Sequence, residues 1–74
     1  MSGKKRRVVL PDAHYRGVSC REWFEKRFKR KPESDPIYYM EWRDRFLGKM
    51  NGTAWQYMDL ESRRVFKRML KKGR

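Results

Sequence analysis

Apolar side chains fall along this chain in three clusters at helical spacing, and each cluster is framed by start and stop signals. Ser19 and Glu22 form a Ser-x-x-Glu capping box, in which a hydroxyl meets an orphan backbone N–H and a carboxylate reaches back. Cys20, Trp23, Phe24 and Phe28 then share one side of a helix predicted over 19–31. Pro32 closes it, because the residue before proline is pushed out of the α region. A second helix is predicted over 36–50, with Asp35 as N-cap and Pro36 at the first helical position. Tyr38, Tyr39, Trp42, Phe46 and Met50 share one broad sector, which Met40 and Leu47 extend. Asn51-Gly52 supplies the expected cap or turn.

The last segment, 54–71, begins at another capping box, Thr53 with Gln56. Ala54, Trp55, Met58, Val65, Phe66, Met69 and Leu70 align if the helix is continuous, but Asp59 and Ser62 then interrupt the apolar sector. The alternative is a short helix at 54–58, a turn, and a further helix starting after Asp59 as N-cap. Ahead of all this, residues 1–10 read as a flexible basic arm. Its last residues, Val8 to Leu10, suit a short extended stretch, and Asp12 to Gly17 reads as a loop. The pattern predicts an all-α fold: a compact three- or four-helix domain over 11–74 with a flexible basic N-terminal arm.

Composition sharpens this picture. Seventy-four residues suffice for one domain near the lower size limit for independent folding. The 21 Lys and Arg oppose 9 acids, a formal charge of +12. Such self-repulsion points to a polyanionic partner. Residues 1–9 carry +4, 10–31 carry +4, 32–62 carry −3, and 63–74 carry +7. The near-neutral middle holds six of the eleven aromatic residues, so two basic regions flank an aromatic centre. Exposed rings can stack on unpaired bases, but most rings here fall on helical stripes and are expected in the core. Tyr15 and Tyr57 fall outside the stripes and are expected to be exposed.

Cys20 is the single cysteine, so no intrachain disulfide is available, which suits a reducing cytoplasm. No apolar run approaches the roughly 20 residues of a membrane span. The basic start runs into only Val8, Val9 and Leu10 before Pro11, so no signal peptide is expected. Catalytic groups are thin. His14 is the sole histidine, Cys20 is read as a small buried hydrophobe, and the five glycines form no phosphate-cradling loop. Neither enzymatic activity nor a cofactor or metal is expected.

The segment Gly52-Thr53-Ala54-Trp55-Gln56-Tyr57-Met58-Asp59, with Arg63 and Phe66, resembles the second half of an HMG box. Pro36, Tyr39, Met40 and Trp42 similarly resemble the start of that family's first helix. The resemblance covers under half of the chain and implies a nucleic-acid ligand. In that family a whole helix separates the two patches, whereas here Gly52 follows Met50 almost at once, so it assigns no family.

The expected function is nucleic-acid binding, DNA ahead of RNA, by an accessory or regulatory factor in the cytoplasm. Its size suits a phage- or mobile-element-encoded protein. The candidate contacts are Lys4, Lys5, Arg6 and Arg7 in the arm, Lys26, Arg27, Lys29, Arg30 and Lys31 in the first helix, and Arg63, Arg64, Lys67, Arg68, Lys71 and Lys72 in the last. Cations about one turn apart can meet successive phosphates, and Arg can fork onto guanine edges. The last helix is the element expected to contact a groove. The alternative is a protein-interaction module that docks on an acidic surface of a larger machine, such as a polymerase, nuclease or ribosome.

Overall fold

A left-handed turn joins two short strands near the start of the described residues. Arg16 and Gly17 both have positive φ, 55° and 84°, the geometry of a two-residue hairpin connection. They join β1 (His14–Tyr15) to β2 (Val18–Ser19), which pair antiparallel with His14 opposite Ser19 and Tyr15 opposite Val18. The computed structural model describes residues 10–48 and 54–72. The arm residues Lys4, Lys5, Arg6 and Arg7, the Asn51-Gly52 turn and the Thr53 cap lie outside the described residues. After the hairpin come α1 (Cys20–Phe28), a 3-10 turn (Pro32–Ser34), α2 (Pro36–Phe46), α3 (Ala54–Tyr57) and α4 (Leu60–Lys72). The described residues are thus mostly helical, with four helices and a minimal hairpin where the sequence pattern suggests a loop.

The start of α1 is capped at three successive N–H groups. Cys20 N–H donates to the Ala13 carbonyl at 2.8 Å, Arg21 N–H to the Asp12 carboxylate at 3.0 Å, and Glu22 N–H to Ser19 Oγ at 3.2 Å. Ser19 Oγ in turn donates to Asp12 at 2.6 Å. The Ser19 half of the expected box is present, and Asp12 adds a carboxylate acceptor at the same helix start. Burial works against the Asp12 charge, yet the Ser19 hydroxyl and the N–H groups of Arg21 and Ala13 outweigh it and hold the carboxyl below its ordinary range.

Two helices stop earlier than the prolines and glycines downstream suggest. The first ends at Phe28 and not at 31, because Lys29 adopts φ 60° and its N–H closes on Glu25. Lys31 is extended, as Pro32 requires. The second ends at Phe46 and not at 50, because Gly48 adopts φ 75° and its N–H tightens onto the Arg45 carbonyl. Asp35 caps α2 by position alone, since its carboxylate turns to Arg30 at 3.0 Å.

The last segment takes the broken form. Asp59 caps α4 by accepting from Ser62 N–H at 2.9 Å, and it also takes Arg27 at 2.9 Å. Ser62 is buried because it is used from two sides: its Oγ accepts from Arg27 Nε at 2.8 Å and its carbonyl from Trp23 Nε1 at 3.1 Å. This junction fixes the C-terminal end of α1 against the N-terminal end of α4.

Around it lies an aromatic core. Trp23 is fully buried, with Trp42, Phe46 and Phe28 ring centroids at 4.7, 5.3 and 5.7 Å. Phe24, Tyr39 and Phe66 are equally inaccessible, and burying a side chain of this kind stabilises by roughly 1.5–3 kcal/mol. The buried Tyr39 hydroxyl donates to the Pro11 carbonyl at 2.6 Å. Tyr15 departs from its expected exposure. It packs between Phe46 and Phe66 at 5.9 and 5.5 Å, because the hairpin turns it inward. Glu33 ties the hairpin approach to α1 by accepting from Leu10 N–H at 3.0 Å and Arg21 at 2.7 Å.

Asp59→Ala removes both cap and ion-pair partner and is expected to lower stability by about 1–2 kcal/mol in urea unfolding. Asp59→Asn keeps the cap and is expected to cost clearly less; equal costs would contradict the dual role. Two carboxyls also set acid sensitivity. Arg21 and the Leu10 N–H hold Glu33 down from 4.5 to about 2, and Ser62 and Arg27 hold Asp59 down from 3.8 to about 2. Both folded values lie below the unfolded ones, so this stabilisation is complete above about pH 5 and is lost as pH falls toward 2. Urea midpoints should fall across that window, and Glu33→Gln should flatten the fall.

Candidate nucleic-acid interface

Helix α4 places its cations by simple periodicity. At 3.6 residues per turn, Arg64, Lys67, Arg68 and Lys71 fall within an arc of about 100°, opposite the buried Val65, Phe66 and Met69. Arg64, Lys67, Arg68 and Lys71 are all exposed and, with Leu70, line one shallow depression that holds no carboxylate among the described residues. At its N-terminal margin Glu61 stands 4.0 Å from Arg64, both side chains well solvated.

The first basic run meets this face from the side. Helices α1 and α4 pack together, and Lys26 of α1 and Lys29 just beyond its end line a groove with Arg68 and Lys72 of α4. Arg68 lines both the outer depression and the groove, so the two basic surfaces are continuous. The groove is less uniformly positive than the outer face: Glu61 lines it, and Glu22 and Glu25 line the adjoining hollow with Lys26 and Lys72. The net field is therefore strongest on α4 itself.

Several predicted contacts have duties inside the fold. Arg27 holds Ser62 and Asp59 and lies 5.0 Å from the Phe28 ring centroid. Arg30 pairs with Asp35. Arg63 donates through Nε and Nη2 to the Trp55 carbonyl at 3.2 and 3.1 Å, and its guanidinium lies 4.7 Å from the Trp55 ring. Lys31 is exposed ahead of the 3-10 turn, and its carbonyl accepts from Ser34. The groove thus assembles Lys26, Lys29, Arg68 and Lys72, and the outer face adds Arg64, Lys67 and Lys71.

Two surface residues escape the sequence pattern. Arg16 is exposed at the hairpin turn, whose Gly17 shares a hollow with Lys72 and Lys26, so a further cation stands beside this surface. An isolated Arg before Gly gives no charge cluster to notice. Leu60 is 69% exposed at the first turn of α4, on the same arc as the cations. Tyr57 is half-exposed as expected, with the Arg45 guanidinium 4.5 Å from its ring and 5.0 Å from that of Trp42.

Among the described residues no group of His, Cys, Asp and Glu is arranged to hold a metal ion, and no helix is long and apolar enough to cross a membrane. His14 is exposed on β1. Cys20 is fully buried, and burial followed by the Asp12 charge pushes its thiol up to about 12. Its reaction with an aromatic disulfide reagent should be negligible in the native protein and prompt in denaturant; fast native labelling would contradict this environment.

No known protein family, curated protein or solved structure matches the chain.

Proposed function

We propose that the protein binds nucleic acid through α4 and the flank of α1, as an accessory or regulatory factor and not as an enzyme. One observation carries the reading. Basic residues from runs some forty positions apart in sequence meet on one surface, with Arg68 shared between its two parts. Bringing like charges together costs energy in the free protein, and a polyanion converts that cost into affinity by releasing its own counterions. The arm residues Lys4 to Arg7 add charge to the same chain.

A protein partner with an acidic surface is the second reading, favoured by the exposed Ile37 and Leu60, which are 77% and 69% accessible. Apolar side chains contribute to protein interfaces and not to phosphate contacts.

Binding should weaken steeply with salt, the log–log slope steepening by about 0.9 for each phosphate neutralised on a duplex, or about 0.7 on a single strand. The combined variant Arg64→Gln, Lys67→Gln, Arg68→Gln, Lys71→Gln is expected to reduce that slope by about two to four phosphate equivalents. An unchanged slope would remove α4 from the interface, and capture of a protein partner that survives nuclease treatment would favour the second reading.

A further inference from the structure

Resting on the nucleic-acid reading, we propose that the ligand is duplex DNA and that α4 lies in its major groove. Four features of the surface point this way. First, the 13 residues of α4 give a rod of about 20 Å, the kind of element that the roughly 12 Å wide major groove of B-form DNA admits. Second, the outer arc is chemically mixed in the way base edges require. Arg64 and Arg68 lie four residues apart and can each present a fork to guanine, while exposed Leu60 on the same arc suits a thymine methyl group. A phosphate-only surface gives no use to that leucine.

Third, the flanks of the helix are occupied by longer-reaching cations. Lys26 and Lys29 stand across the α1–α4 groove on one side, and Lys67 lies on the other, its ammonium 5.8 Å from the Trp55 ring centroid. A helix seated in a groove needs cations on its flanks to meet the two bordering phosphate strands. Fourth, the rings that a single-strand binder would use for stacking are committed elsewhere. Trp23, Phe24, Tyr39 and Phe66 are buried, Tyr15 packs on Phe46 and Phe66, Trp55 carries Arg63 and Lys67 over its ring, and the half-exposed Tyr57 carries Arg45 at 4.5 Å. Duplex RNA is disfavoured because its deep, narrow major groove does not admit a helix.

The test is fluorescence anisotropy at one salt concentration with a labelled DNA duplex, its single strand, the RNA duplex of the same sequence, and polyglutamate as an acidic-polypeptide competitor. The duplex DNA is expected to bind at least about tenfold more tightly than the other nucleic acids. Methylating guanine N7 should weaken binding, netropsin in the minor groove should leave it nearly unchanged, and Leu60→Ser and Arg68→Gln should each weaken it. Equal or tighter binding of single strands or duplex RNA overturns the duplex proposal and leaves the nucleic-acid reading standing. Loss of binding with netropsin but not with N7 methylation overturns the groove assignment. Absence of salt-dependent binding to all three nucleic acids overturns both, and so does competition by polyglutamate as effective as that by duplex DNA.

Discussion

The contact on which the rest of the molecule depends is the junction of Arg27 and Trp23 with Asp59 and Ser62. Its parts lie more than thirty residues apart in sequence, and each part does two jobs. Asp59 stops α3 from running on by capping α4, and it pairs with Arg27. Ser62 accepts Arg27 on its hydroxyl and Trp23 on its carbonyl, which is why a polar residue is tolerated in the core. A buried hydroxyl and carbonyl with partners cost little, whereas the same groups unpaired would cost about 1–3 kcal/mol each. The junction pins one end of α1 to α4, and the apolar packing of Trp23, Val65, Phe66 and Met69 carries the contact onward.

That placement has an electrostatic consequence. Packing α1 on α4 puts Lys26 and Lys29 beside Arg68 and Lys72, so the hydrophobic core holds together a surface that repels itself. The fold limits the damage locally by settling other cations on rings and carboxylates. Arg30 lies between Asp35 and the Phe24 and Phe28 rings, and Arg63 lies on Trp55. Each such cation–ring contact is modest, about 0.5–1 kcal/mol where the cation stays solvated. The cations left over on α4 have solvent as their main neighbour, and they form the proposed interface.

Much of this architecture is legible in the sequence, and the parts that are not have physical reasons. Ser19 and the Asp35-Pro36 pair mark helix starts by local chemistry alone, and the structure uses both positions. The helix ends are less legible, because Lys29 and Gly48 take left-handed conformations ahead of the stronger-looking signals at Pro32 and Asn51-Gly52. A lysine at positive φ is chosen by the fold and not by its own preference. The hairpin reads as a loop because Arg16-Gly17 is a weak turn signature beside Asn-Gly. The break at Asp59 stays open in the sequence because its resolution lies more than thirty residues away, at Arg27. The same distance hides the sorting of cations: counting charges locates the basic runs, but not that Arg27, Arg30 and Arg63 are committed to internal partners. Leu60 and Arg16 carry no pattern at all, since one exposed leucine or one lone arginine is ordinary until its neighbours in space are known.

The proposed interface is one continuous surface, built from both basic runs, that engages one ligand. Amide and side-chain NMR titration with a short DNA duplex tests it most directly, because every described cation reports separately. Lys26 on α1 and Lys29 at its C-cap are expected to shift together with Arg64, Arg68 and Lys72 on α4, along one binding curve, while Asp35 and the exposed side of α2 stay still. Shifts confined to one helix, or two curves with different midpoints for α1 and α4, would contradict it.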